Sequence, residues 1–260
     1  MASTVELDVQ DGVATLTLSD VSRKNAMSPE LGDALEARVR ELMGRTDVRA
    51  VVLTGAAQTF SAGGDLAMLE KLRASSFEEC RRFMLSFYGR YLSVLELPMP
   101  VVAAVEGAAI GAGLCVALAC DLVIASEDAK LALNFVQLGL HPGMGATYLV
   151  PRRVGAQRAA ELLLTGRRFD GREAASLGLV LKAVPGPEVQ LTAQALAKQL
   201  ASAAPLATRA LKKNLGVDRA ALQQALEREA LAQAESYGSV DLGEGLAAAA
   251  QKRAAKFVGK

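Results

Sequence analysis

The chain has 260 residues, 51% hydrophobic and 22% charged, enough to bury a sizeable core within single-domain lengths and to exclude disordered and fibrous classes. With 29 Lys and Arg against 28 Asp and Glu, the net charge of +1 supplies no global field for nucleic acid or an anionic membrane, so an anionic ligand must be held by local groups. Cys80, Cys115 and Cys120 are scattered and odd in number, which excludes a disulfide framework, lacks metal-ligand spacing and predicts a reducing, cytoplasmic setting.

The opening MASTVELDVQ has no basic segment leading into an apolar run, so no signal peptide is predicted and the mature chain is expected to start here. Alternation at Val5, Leu7 and Val9, and again at Val13, Thr15 and Thr17 across Asp11 and Gly12, predicts a β-hairpin. Ser28 as N-cap, Pro29 at the first helical position and Glu30 in the first turn precede Leu31, Leu35, Val39 and Leu42 on one face, the pattern of an amphipathic helix. Residues 49–53 form a short β-branched run suited to a strand buried on both faces, followed by the loop QTFSAGGD. A helix is predicted over 77–97, stopped by Pro98 and Pro100, and a buried strand over 101–105.

Residues 107–113 read as a Gly/Ala loop leading into an apolar helix through Ala119, and 121–125 as another strand. The 14 residues between Glu106 and Asp121 fall short of the ~20 needed to span a bilayer, so this is a core segment rather than a membrane anchor. Repeated strand, loop and helix imply an α/β core. Beyond about Pro185 the helical periodicity of Leu211, Leu215, Leu222 and Leu226 predicts a helical extension, and the organisation expected is an α/β core over 1–195 and a helical region over 196–260. No fixed-period repeat or charged low-complexity tail is present.

Two glycine-rich segments, FSAGGDL and EGAAIGAG, each follow a predicted buried strand and precede a helix. Glycine allows close ligand approach and positive φ, and amides at a helix N-terminus point at an arriving anion or oxyanion. Tight strand-to-helix packing would also place glycines here, and neither segment matches a dinucleotide fingerprint or a P-loop.

In order along the chain stand RKNAMS, FSAGGDL, PVVAAVEGAAIGAGLCVALACDLVIAS, GLHPGMGATYLVPRRVG, LLLTGRRFDGREAASLGLV and QKRAAKFVGK. Together they resemble the crotonase (enoyl-CoA hydratase/isomerase) superfamily over nearly the whole chain. The resemblance implies a spiral of ββα units with a C-terminal helical trimerisation region, assembled as a homotrimer or a dimer of trimers. It implies an acyl-CoA thioester as partner, with coenzyme A entering as part of the substrate and no separate cofactor or metal. The thioester carbonyl would accept two backbone N–H bonds, placed by the motifs on Gly64 and Ala112, which stabilise an enolate. Ala112 stands where the family often has Gly, so its Cβ puts the required dihedral in question.

By the same resemblance, residues 23–26 and 61–63 line the adenine and pantetheine path. Lys24 is available for a CoA phosphate, with Ala26, Ser61, Ala62 and Gly63 beside it, and Phe257 and Lys260 reach a neighbouring subunit's CoA. A solvated surface is the plainer account of Lys24 and Lys260. Asp65 and Asp121 read as loop and strand-end anchors.

The family pattern fails at one point. Its hydratases use two glutamates to position and activate water, and at those places this chain has Cys115 and Phe135. Phenylalanine carries no proton, and a thiol with a pKa near ~8.5 replaces a carboxylate poorly. Isomerisation, decarboxylation or carbon–carbon cleavage is therefore favoured over hydration, with a non-catalytic acyl-CoA-binding or assembly paralogue as the alternative. His141, the sole histidine, is the candidate proton carrier, having an unperturbed pKa near ~6.5, with a loop histidine held extended by Pro142 as the plainer account. Tyr148, Cys115 and Glu106 are weaker candidates, each more simply explained as a packed or loop residue. Acyl specificity is assigned to segments 66–72 and 83–91.

Overall fold

The computed structural model describes residues 3–260. The chain opens with the antiparallel hairpin of β1 (Thr4–Gln10) and β2 (Val13–Ser19), with Gln10 paired to Val13. In α1 (Pro29–Met43) the Ser28 side chain accepts the Leu31 N–H, as its N-cap role predicts, and Leu31, Leu35, Val39 and Leu42 are buried. There follow β3 (Ala50–Gly55), α2 (Leu66–Leu72), α3 (Phe77–Leu92), β4 (Val101–Val105), β5 (Ala108–Ile110), α4 (Ala112–Ala119), β6 (Leu122–Ser126) and β7 (Lys130–Ala132). The remainder comprises α5 (Ala146–Thr165), broken at Gly155, then β8 (Arg168–Phe169), α6 (Gly171–Ser176), β9 (Lys182–Val184), α7 (Val189–Ala201), α8 (Pro205–Leu215), α9 (Arg219–Tyr237) and α10 (Val240–Gln251).

Two sheets organise the α/β core. The larger runs β1-β2-β3-β4-β6-β9, parallel from β2 onward, and the smaller runs β5-β7-β8. The strand after β4 pairs in parallel with the strand after β6, and Ser61, in the segment after β3, bridges to Ala109 of β5. Successive turns of the chain thus contribute one strand to each sheet before the helix, the ββα spiral the resemblance implies.

Period-two burial divides the larger sheet. Val51 and Leu53 face the main core beneath α1, α3 and α4, while Ala50, Val52, Val102, Ala104 and Ile124 face α7 through Val189, Ala193, Ala197 and Ala201. Burial on both faces is why these strands read as unbroken β-branched runs.

Three local expectations change. The helix predicted over 77–97 ends at Leu92 and continues as a 3-10 turn over Ser93–Glu96. The predicted loop over 107–113 contains β5, whose hydrogen-bonding partner β7 lies some twenty residues on and leaves no local signal. Finally, α7 runs through the expected 195–196 boundary and covers the sheet, so the helical stretch begins as a layer of the core. Among the described residues no helix is long and apolar enough to cross a membrane.

Candidate active site

The site grows from two loops stitched together by backbone. Asn25, fully buried with φ 54°, donates its side-chain amide to the carbonyls of Ala56 and Thr59 at 3.0 and 2.6 Å, and its own carbonyl accepts Ser61 Oγ at 2.8 Å. The Lys24 carbonyl accepts the Ala62 N–H, and Met27 pairs with Gly63 and Asp65 on either side of Gly64. The second loop docks on the first: Ser61 N donates to Ala108 O, and Ile110 N donates to Ser61 O. A Cβ at position 113 would meet Ser61 Cβ at 2.6 Å, so Gly113 is what allows the start of α4 to lie against FSAGGDL.

This stitching leaves two amides free. Neither Gly64 N–H nor Ala112 N–H has an acceptor among the described residues, and both residues line the same cavity. Ala112 is the first residue of α4, one of the helix-start amides without an intrahelical partner, and no side chain caps it. The left-handed backbone falls on Gly111, with φ 52°, so the alanine Cβ at 112 meets no dihedral conflict.

The cavity holds about 320 Å³ and is walled by Leu69, Met84, Phe87, Phe135 and Tyr237. Phe135 lies beside Gly111: a side chain starting there would find the Phe135 ring and Asn134 Oδ1 at 3.7 Å. Among the described residues lining the cavity there is no carboxylate and no imidazole; its titratable side chains are Tyr88, Tyr237 and the exposed Arg168. Cys115 is fully enclosed in α4 behind this wall, and burial, aided by the nearby Glu229 charge, pushes its thiol well up, which keeps it neutral.

The structure gathers Ala62, Gly63, Gly64 and Ala112 at the cavity and leaves the other predicted site residues outside it. His141 is not among the residues lining the cavity: Nδ1 lies 2.6 Å from Pro142 O, and its main chain is held by Ser236 and Gln233. Tyr148 accepts Asp218 N–H and stacks beneath Arg152, while Glu106 contributes only its carbonyl, to Phe60. Ser61 and Ala26 are buried scaffold, and Lys24 is exposed. Phe257 and Lys260 belong to a tail folded onto its own α10, where Asp241 accepts Val258 and Gly259 N–H and Lys260 O accepts Val240 N–H.

Asp65 caps α2 through Met68 N–H and pairs with Arg23, and Asp121 accepts Val101 N–H and pairs with Lys212, both as anchors. Of three polar residues the structure brings forward, Asn25 and Tyr88 were covered by the sequence reading only as members of segments, and Gln233 escaped it. Asn25 sits inside RKNAMS and Tyr88 inside segment 83–91, but nothing local marks Gln233.

The enoyl-CoA hydratase/isomerase family model matches residues 8–260. A protein of Thermus thermophilus named "Putative enoyl-CoA hydratase" is 40% identical over 246 residues, covering 94% of this chain and 97% of that protein. Among solved structures, an enoyl-CoA hydratase/isomerase from Pseudoalteromonas atlantica superposes with a TM-score of 0.87 at 33% identity, over 98% of this chain and 100% of that one. An enoyl-CoA hydratase from Bacillus halodurans gives 0.87 at 29%, over 95% and 100%. With the spiral, the paired loops and this match along nearly its whole length, the chain belongs to the enoyl-CoA hydratase/isomerase family, within the crotonase superfamily.

Proposed function

We propose that the protein binds an acyl-CoA thioester, holds its carbonyl oxygen between the amides of Gly64 and Ala112, and acts on the resulting enolate without a glutamate pair. The observation that carries this reading is the pair of unpaired N–H groups on the wall of an apolar cavity whose lining has no carboxylate. Two donors aimed at a developing oxyanion serve any reaction through a thioester enolate, whether the α-carbon loses a proton, carbon dioxide or a carbon–carbon bond. Hydration needs a positioned water and a base, and Phe135 stands beside the hole instead. Isomerisation, decarboxylation or carbon–carbon cleavage is therefore favoured. The same lack of an acid or base beside the hole favours, as second reading, an acyl-CoA-binding protein without turnover.

Assembly into a homotrimer or a pair of trimers belongs to the proposal, supported by α8, which buries none of its residues in the single chain. So do a cytoplasmic setting, in keeping with three free buried cysteines, and a reach of Phe257 and Lys260 to a neighbour's CoA. The test is ligand-induced stabilisation followed by turnover. Acetyl-CoA and longer acyl-CoAs at millimolar concentration should raise the melting temperature, and the free acids should not. Crotonyl-CoA hydration should be slower than in a two-glutamate hydratase by several orders of magnitude, since each positioned acid or base contributes ~10²–10⁴-fold. An unchanged melting temperature with every thioester rejects the reading, and rapid hydration rejects the assignment of Cys115 and Phe135. Turnover of any member of an acyl-CoA panel decides for the enzyme over the binding protein.

A further inference from the structure

The cavity's apolar wall is interrupted at one place by a pair of neutral polar side chains. Tyr88 of α3 and Gln233 of α9 both line it and are only 1% and 2% exposed, yet stand 145 residues apart in sequence. The Tyr88 hydroxyl donates to Gln233 Oε1 at 2.8 Å, and Gln233 Nε2 donates to the His141 carbonyl at 2.8 Å. A carbonyl can only accept, so this second bond fixes which end of the amide faces Tyr88. After these bonds Tyr88 Oη keeps a free lone pair and Gln233 Nε2 keeps a second N–H.

The two spare groups face a common place. A Cβ on Gly143, itself a cavity residue, would lie 2.5 Å from Tyr88 Oη and 2.6 Å from Gln233 Nε2, so both atoms meet at one point of the cavity wall, where only a glycine lets the loop lie this close. Burial, reinforced by the charge of Glu229, pushes the Tyr88 phenol well up, so the pair stays uncharged. The site therefore offers one acceptor and one donor, with no cation beside them and a carboxylate behind.

We propose that Tyr88 and Gln233 determine acyl specificity by recognising an uncharged hydroxyl group carried on the acyl chain. A hydroxyl can donate to Tyr88 Oη and accept from Gln233 Nε2 together. A ketone can use only the Gln233 donor, an unsubstituted chain uses neither, and a carboxylate meets the Glu229 field. The order of preference is hydroxyl, then oxo, then alkyl, with carboxylate last. This inference rests on the proposed binding of acyl-CoA thioesters and adds the class of acyl group.

Direct binding measurement tests it without any need for turnover. Dissociation constants are compared for a straight-chain acyl-CoA and for hydroxyacyl-CoAs of the same length bearing the hydroxyl at different carbons. At least one hydroxyl isomer should bind about tenfold tighter than its parent, the scale of one to two neutral hydrogen bonds. That ratio should fall several-fold in Tyr88→Phe, which removes one of the two bonds at almost unchanged volume and leaves the Gln233 donor. It should fall likewise in Gly143→Ala, whose Cβ would clash with both atoms and push the pair from its place. If the parent thioester binds and no hydroxyl isomer binds more tightly, or if the preference is undiminished in both variants, the assignment is overturned while the acyl-CoA reading stands. If no thioester binds, both fall.

Discussion

Gly111 and Ala112 divide between them what a single glycine would do. The first takes the left-handed backbone that turns the chain into α4, and the second enters the helix with an unpaired N–H at the cavity. Position 112 is thereby open to a substitution aimed at one hydrogen atom, because proline fits the first residue of a helix and lacks only the N–H. Ala112→Pro should fold, with its melting temperature close to that of the parent, and bind thioesters more weakly. If the protein turns over a substrate, the rate should fall ~10²–10³-fold, the usual cost of one oxyanion-hole donor. Unchanged affinity and rate in a folded variant would remove Ala112 from the hole.

At the scale of elements, the connection from β2 to α1 is held by one buried carboxylate. Asp20 accepts from Ser3, Ser22 and Arg23, and Arg23 reaches on to Asp65, the cap of α2, so the RKNAMS and FSAGGDL loops share an ionic tie. Burial by itself would raise the Asp20 carboxyl, but the hydrogen bonds from Arg23, Ser3 and Ser22 outweigh it and bring the pKa from 3.8 down to about 2. A carboxyl with a lowered folded pKa stabilises when ionised. Its contribution is complete above the unfolded value near pH 4 and is lost as the pH falls from there to about 2. Asp20→Asn should cost at most about 2 kcal/mol near neutrality, less to the extent that the exposed Arg23 is screened. Urea unfolding of parent and variant should show that difference at pH 7 and see it shrink between pH 4 and 2. A difference independent of pH in that window would deny the carboxylate its role.

For the whole molecule, α8 poses the question of assembly. Leu211 and Leu215, one turn apart on the helix, are 56% and 72% exposed in the single chain, beside basic Lys212 and Lys213. The helix is tied to the core through Lys212, which pairs with Asp121, and its large exposed leucines are what the proposed assembly would cover. Sedimentation should report a trimer or hexamer for the parent, and the double substitution Leu211→Glu, Leu215→Glu should shift the mass toward the monomer. A parent that sediments as a monomer would reject the proposed assembly.

What the sequence determined by itself was local or carried by ordered motifs. The hairpin, α1 with its Ser28 cap, and the strands β3, β4 and β6 follow from period, caps and β-branched runs, all interactions within a few residues. The two glycine loops were legible because RKNAMS, FSAGGDL and EGAAIGAG together resemble one family, and the same resemblance is what proposes Cys115 and Phe135 at the places of the hydratase glutamates. Tertiary structure decided the rest, where the partner lies far along the chain. Three-residue β5 exists because β7 and Ser61 complete its hydrogen bonds, and α7 becomes a core layer because the far face of the sheet needs cover. His141 is adjacent in sequence to cavity-lining residues, but Gln233 and Ser236 hold its main chain, and its ring is kept off the cavity against Pro142. The polar pair of the cavity, Tyr88 with Gln233, comes into being only when α9 packs on α3, which no short-range pattern encodes.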